Sequence, residues 1–350
     1  MDIIPYKEII QSLSEKLRAN YIFPDIAEQI CAALEKHLQN GEYNDLDGEF
    51  FALALTMHMQ EVNHDEHLWV RWHDEPLPED DGQLRLNAAW QEEQKRKARA
   101  ENFGFGKVAR LTGNVGLLEI HHLHRPEWGG ESAHAVMASL ADTDALIVDL
   151  RSCTGGYPGM SALILSYLFE EERILLSRIY WRDDDTTQEF WTLPQLPGPR
   201  FGAKPVYVLT SRTTFSAGEG FAYILQNRKR ALVIGEKTDG GAHPGASYRL
   251  HPHFEAFIPI GRTIDAITGT DWEGVGITPD ISVPQEQAFD AAYYLALKKI
   301  LASHPTEEAN AALKELETDK RFCPKCRYQN PLYRTRCKNC DEELAESGIK

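Results

Sequence analysis

Ser216 stands where a buried apolar run gives way to a helical pattern, a place from which a serine can act as a nucleophile. Pro205–Thr210 is a β-branched and aromatic run of strand length, and Ser216–Gln226 carries Phe221, Ala222, Ile224 and Leu225 at helical spacing. A hydroxyl at the first residue of such a helix lies at the positive end of its dipole, and the amide of Ala217 is free to donate to a developing oxyanion. The same residues, Ser216-Ala217-Gly218-Glu219, also spell a capping box, in which the serine only closes its own helix and Glu219 reaches back. From these residues alone both readings stand.

Asp149-Leu150-Arg151-Ser152-Cys153-Thr154-Gly155-Gly156 leaves a buried strand and enters a glycine turn. Adjacent glycines let backbone amides approach a ligand closely, as an oxyanion hole requires. Such turns also suit phosphate, but the spacing and the lysine of a phosphate-binding loop are missing. Cys153 beside the turn is a thiol with no activating neighbour in sequence. The other cysteine chemistry is sharper. Cys323 and Cys326 are three apart, as are Cys337 and Cys340, with ten residues between the pairs. Four thiolates satisfy a tetrahedral ion with no open position, which predicts structural zinc rather than redox use. So short a segment has almost no core of its own and folds around the metal. Arg327, Arg334, Arg336 and Lys338 make it locally basic, a solvated surface or a contact for an acidic partner.

The chain that must position these groups has 350 residues, enough for two or three domains. Its net charge of −16 argues against nucleic acid and against anionic lipid as partners. No run is apolar and long enough to span a bilayer, and MDIIPYKEIIQSL lacks a signal-peptide core. A cytoplasmic protein without structural disulfides is expected. Residues 6–18, 24–38 and 45–62 show helical periodicity, with Asp45 as cap of the third helix and Phe50, Leu53, Leu55 and Met57 along it. Residues 74–102 form a charged connector with Glu92/Arg96 and Glu93/Lys97 at helical spacing. From Phe105 strands and helices alternate: strands at 115–120 and 145–150, helices at 131–140 and 160–169, and a hairpin around Asp183-Asp184-Asp185. Then come strands at 231–235, 248–250 and 254–259, a loop at 271–280 and a long helix at 285–301. Alternation of this kind predicts an α/β sheet covered by helices.

Three ordered segments, VDLRSCTGG, TSRTTFSAGEGFAYILQNRKRALVIGEKTDGGAHPG and WEGVGITPDISV, resemble the signatures of the C-terminal processing (tail-specific) serine peptidases. The branch with the tricorn core and the interphotoreceptor retinoid-binding protein modules is the closer match. Its N-terminal domain resembles the helical region ending in HDEHLWV, so the resemblance covers roughly residues 1–300. It implies a ClpP/crotonase-like α/β core and Ser216 as nucleophile. Tail-specific proteases carry a lysine base in the glycine turn, where this chain has Gly241. The tricorn branch instead uses a histidine from the helical domain, which matches His67; His64 is its bland neighbour. Tricorn's serine before that histidine is Glu66 here, its orienting glutamate matches Glu273, and no PDZ-like segment is seen. His243 ranks second as base, and Glu219 remains a cap partner.

The expected organisation is α/β: an N-terminal helical bundle (1–75), a charged connector (76–103), an α/β serine peptidase core (104–304), a helical spacer (305–320) and a zinc ribbon (321–345). Ser216 would attack a peptide carbonyl to form an acyl-enzyme, with His67 as base, Glu273 orienting it, and the amides of Ala217, Gly155 and Gly156 as oxyanion hole. Activity would rise through an apparent pKa near the free histidine value of about 6.5. The substrate would be a peptide or unfolded protein. A homo-oligomer, or a protein contact through the ribbon, is the further partner expectation. The rival reading is a non-catalytic module of the same build that binds a hydrophobic small molecule or peptide, since fold does not fix function.

Overall fold

The computed structural model describes residues 4–79, 87–170, 173–319, 321–323, 325, 328–330, 336–337, 339–340 and 342–343. Three helices come first: α1 (Tyr6–Asn20), α2 (Pro24–Gln39) and α3 (Gly48–Asn63). Ile9, Ile10, Leu13 and Leu17 of α1 meet Ile30 and Leu34 of α2, as their spacing requires. The cap of α3 is Asp47, whose carboxylate accepts from the amide of Phe50 at 2.9 Å, and not Asp45. Phe51, Ala52, Leu55 and Met59 face inward, while Phe50, Leu53 and Met57 are exposed.

β1 (Trp69–Trp72) follows α3 and joins a three-stranded antiparallel sheet with β10 (Phe254–Pro259) and β9 (Gly245–His251). Leu68 and Val70 pack with Ala246, Tyr248, Phe254, Ala256 and Ile258 in the same apolar cluster as the three helices. The helical region is thereby anchored to strands more than 170 positions later, through the pairing of Trp69 with Phe257. After α4 (Ala88–Ala100), which Asn87 caps, comes the central sheet.

That sheet has the order β12 (Ile281–Ser282), β8 (Leu232–Gly235), β7 (Val206–Thr210), β4 (Ala145–Asp149), β3 (Val115–Ile120), β2 (Phe105–Leu111). Its pairs are parallel except β2 with β3. Parallel strands covered on both faces read as continuous apolar runs, and β4 and β7 do. Leu146, Val148, Val206 and Val208 face α5 (Pro126–Leu140), α6 (Pro158–Leu168) and α7 (Ala217–Asn227), whereas Ile147, Tyr207 and Leu209 face α8 (Gln285–Ser303) and α9 (Glu307–Asp319). The hairpin of β5 (Leu175–Trp181) and β6 (Thr186–Trp191) forms as expected, and β11 (Gly261–Asp265), which the pattern did not reveal, adds to its edge. α5 begins at Pro126, five residues earlier than its periodicity suggests, because a proline fits the first turn of a helix. β13 (Arg321–Phe322) and β14 (Gln329–Asn330) pair near the C-terminal cysteines. No helix among the described residues is long and apolar enough to cross a membrane.

Candidate active site

β7 delivers Ser216 through a loop stitched to the loop that follows β4. Thr214 donates to the Leu150 carbonyl at 2.8 Å, Ser211 and Thr213 to that of Arg151 at 2.6 Å each, and the Phe215 amide to Cys153 at 2.9 Å. Ser216 itself has φ +53 and ψ −122, a conformation that costs a residue with a side chain about 1–3 kcal/mol. Glu219 holds it there. One carboxylate oxygen accepts from the amides of Ser216 at 2.8 Å and Gly241 at 2.9 Å, and the other from the Thr238 hydroxyl at 2.6 Å. Burial pushes this carboxyl up to about 7 against those donors. The glutamate of the capping box therefore also ties Ser216 to the glycine-rich turn.

His67 arrives from the helical region. α3 ends on His64 in a left-handed cap, and the backbone amide of His67 donates to Asp65 Oδ1 at 3.0 Å, turning the chain toward β1. The ring is buried between Phe215, with centroids 4.6 Å apart, and Phe257. Its Nε2 lies 3.1 Å from Ser216 Oγ. Burial pushes His67 down to about 4, with the Asp65 charge pulling the other way, so at neutral pH the ring can accept a proton. Gly241 makes room for it: a Cβ there would stand 2.6 Å from His67 Cε1 and 2.4 Å from the Phe215 ring. The imidazole occupies the space that a side chain at 241 would need.

The expected contact between His67 and Glu273 is not formed. Among the described residues His67 Nδ1 is buried without a hydrogen-bond partner, and so is Glu273 Oε1. The other oxygen of Glu273 accepts from the Ala242 amide and stands 3.4 Å from His243 Nδ1. The reason is the docking of two loops. Trp272 Nε1 donates to the Gly241 carbonyl at 2.7 Å and the Gly274 amide to that of Gly240 at 2.9 Å, which lays Glu273 against Ala242 and His243. His243 bonds Asp65 Oδ2 at 3.0 Å and makes no hydrogen bond to Ser216 among the described residues, so it is not placed as the base. Asp65, missed in the sequence, is 2% exposed and also accepts from the Tyr21 hydroxyl at 2.9 Å. Its only local signal is its place two residues before His67, where an aspartate closes a turn on the backbone. Glu66 is exposed, and burial together with Asp239 and Asp65 pushes its carboxyl up; it makes no bond to His67 among the described residues.

Ser216 opens into a cavity of about 1030 Å³ between the core, the β5–β6 hairpin and the β1–β10–β9 sheet. Leu176, Ile179, Phe190, Ile224 and Trp272 make an apolar side, and Arg71, Arg125, Glu66 and Glu127 add charge. Ala217 and Gly156 line it next to Ser216, whereas Gly155 lies under the nucleophile, where a Cβ would come 2.7 Å from Ser216 Cβ. Cys153 is buried behind, its thiol pushed up by burial to about 12. That excludes a thiolate there.

Away from this site, the sulfurs of Cys323, Cys337 and Cys340 lie within 4.8 Å of one another, with Cys323 and Cys340 at 3.5 Å. Sulfurs on a tetrahedral zinc at about 2.3 Å would stand roughly 3.8 Å apart, so these three fit a thiolate metal site and are too distant for disulfides. Cys326 lies outside the described residues.

The sequence profile of peptidase family S41 matches residues 114–283, and the profile of the N-terminal domain of that family in eukaryotic IRBP matches residues 5–101. The chain belongs to peptidase family S41. A protein described as the C-terminal subunit of a tricorn-like protease, from Sulfurisphaera tokodaii, is 29% identical over 205 residues, covering 52% of this chain and 21% of the relative. The carboxyl-terminal-processing protease of Synechocystis sp. is 26% identical over 185 residues, covering 53% of this chain and 39% of the relative. The chain thus spans well under half the length of these two family members. Mature CPAF has the same fold, with a TM-score of 0.57 at 13% identity over 87% of this chain and 98% of that one. In this S41 chain both segments that build the site, the helical region with His67 and the core with Ser216, fall inside matched stretches.

Proposed function

We propose that this protein is a serine endopeptidase or processing peptidase that hydrolyses peptide bonds through an acyl-enzyme. The observation that carries the reading is the 3.1 Å approach of His67 Nε2 to Ser216 Oγ at the wall of a large cleft. Ser216 Oγ attacks the scissile carbonyl as His67 Nε2 takes its proton, and the C–O bond to the enzyme forms as the carbonyl π electrons move to oxygen. The amides of Ala217 and Gly156 receive that oxyanion, and Gly155 keeps the floor beneath Ser216 low. His67 then protonates the departing amine. Water, deprotonated by the same nitrogen, releases the acyl group. The cleft suits an extended peptide or a segment of unfolded protein. The cysteine cluster is read as a structural zinc site of Cys323, Cys326, Cys337 and Cys340, outside the reaction.

The binding-module reading draws on one observation, the unpartnered Nδ1 of His67. Labelling by a serine-reactive fluorophosphonate separates the two. The parent should label and cleave peptides, and Ser216→Ala should do neither. A parent that folds, binds apolar probes and never labels would leave the binding module as the function.

A further inference from the structure

A histidine base in an acyl-transfer site works best when a carboxylate fixes its ring and stabilises the imidazolium that forms. Glu273, the carboxylate that the resemblance offered, is turned toward Ala242 and His243. The carboxylate that does touch His67 is Asp65. Its Oδ1 takes the His67 amide at 3.0 Å, and its Oδ2 takes the Tyr21 hydroxyl at 2.9 Å and His243 Nδ1 at 3.0 Å. His243 is in turn 3.4 Å from Glu273 and packs edge-on against Phe23, with ring centroids 5.3 Å apart. One buried chain of contacts thus runs from the helical region, through Asp65 and His243, to the loop that carries Glu273.

We propose that Asp65 is the positioning carboxylate of the general base, and that His243, whose Nδ1 faces both Asp65 Oδ2 and Glu273 Oε2, tethers it across the junction of the helical region and the core. The inference rests on His67 being the base.

Charge supports this arrangement. Burial pushes Asp65 up, yet the His243 hydrogen bond and charge, the His67 ring and the Tyr21 hydroxyl hold it below the usual carboxylate range. Burial pushes His243 down, and the bond to Asp65, with the charges of Asp65, Glu273 and Asp271, lifts it above the ordinary imidazole value. Burial lifts Glu273 to about 7, so near neutrality it is only partly ionised. The persistent negative charge next to the base therefore sits on Asp65, which draws His243 toward its protonated form. After burial, these are the two charges that act on His67, and they act with opposite sign: Asp65 raises its affinity for a proton and His243 lowers it.

Opposite signs make the test specific. The His67 titration would be followed by NMR at its Cε1 proton, and kcat/KM for a peptide measured against pH, in the parent and in Asp65→Asn, His243→Gln and Glu273→Gln. Asp65→Asn keeps an oxygen for the His67 amide and loses the charge. It should move the titration and the acid limb of kcat/KM to lower pH by about one unit, with roughly a tenfold loss carried by kcat rather than KM. His243→Gln should move both to higher pH, and Glu273→Gln should move them least. A purely structural role for Asp65 would not confine the loss to kcat. An unmoved titration in Asp65→Asn, or shifts of one sign in both, overturns the proposal. Should Asp65→Asn fail to fold, His243→Gln decides alone, and no upward shift there overturns it as well. The NMR arm needs no turnover. Failure of fluorophosphonate labelling to depend on His67 would remove the base reading itself, a different outcome from an unmoved titration.

Discussion

Ser216 and His67, the proposed nucleophile and base, are held by different means. Ser216 sits in a turn fixed on every side by short bonds from neighbouring elements: Glu219 on its amide, and Thr214 and Phe215 tied to the strand end behind it. Among the described residues His67 has one bond on its backbone and one on Nε2, and is otherwise held by packing between rings and by the absence of a side chain at Gly241. One side is built from bonds, the other from fit. A bonded turn tolerates small changes around it, while a fitted ring registers each added atom.

The comparison can be broken most severely by removing either reacting group. Ser216→Ala and His67→Ala should each lower kcat/KM by on the order of a thousandfold or more, and the double variant little further, because the pair acts as a unit. Thermal stability of Ser216→Ala should stay within about 1–2 kcal/mol, the range for losing a cap. If the double variant were far worse than either single one, the two would not form one unit. The next largest effect should come from Gly241→Ala. Its Cβ must displace His67 or Phe215, and a displacement of about 1 Å costs roughly a hundredfold in rate. Melting should show a loss of about 1–3 kcal/mol, as for overpacking elsewhere. An alanine variant with parental activity would show that the base is not held by fit.

A smaller and sharper effect concerns pH. Only the neutral ring can take the proton from Ser216, and burial lowers the pKa of His67 to about 4. The acid limb of kcat/KM should therefore fall well below the free histidine value of about 6.5 that the sequence alone suggests. Activity is then retained down to mildly acidic pH and lost as pH drops through about 4. A limb near 7 would instead report Glu219 or Glu273, both lifted by burial to about 7. The smallest effect is expected from the cysteines. Truncation before Arg321, or Cys337→Ser, should remove bound zinc and leave hydrolysis of a short peptide within about twofold, since closed structural sites take no part in chemistry. A chelator that stops turnover without unfolding the core would reverse that assignment.

What the sequence shows of this site follows the same division. β7, the start of α7 and the Gly155-Gly156 turn are legible because each rests on contiguous residues: an apolar run, a cap with Glu219 three residues on, paired glycines. His67 is 149 positions from Ser216, and only the family resemblance suggests that they meet. The partner of Glu273 is not legible. It depends on how Trp272 and Gly274 dock on the turn at Gly240 and Gly241, a contact with no periodicity and no local motif. Asp65 hides for a related reason, since a turn-closing aspartate looks the same whether or not a buried histidine arrives from elsewhere. At the level of elements, the cap of α3 is misread: Asp47, not Asp45, accepts from the first-turn amide of Phe50.

The sheet that joins the helical region to the core also sets a schedule. β10, against which β1 pairs, follows Ser216 by some forty positions, and Gly241 and His243 also come after the nucleophile. A ribosome that has just released Ser216 has already made His67, but not the strand that brings it over the core. Until β10 is made, the chain holds Ser216 and His67 without the pairing that joins their regions. A cut within β10 is expected to loosen the same link, leaving Ser216 and His67 intact and the proposed site pulled apart.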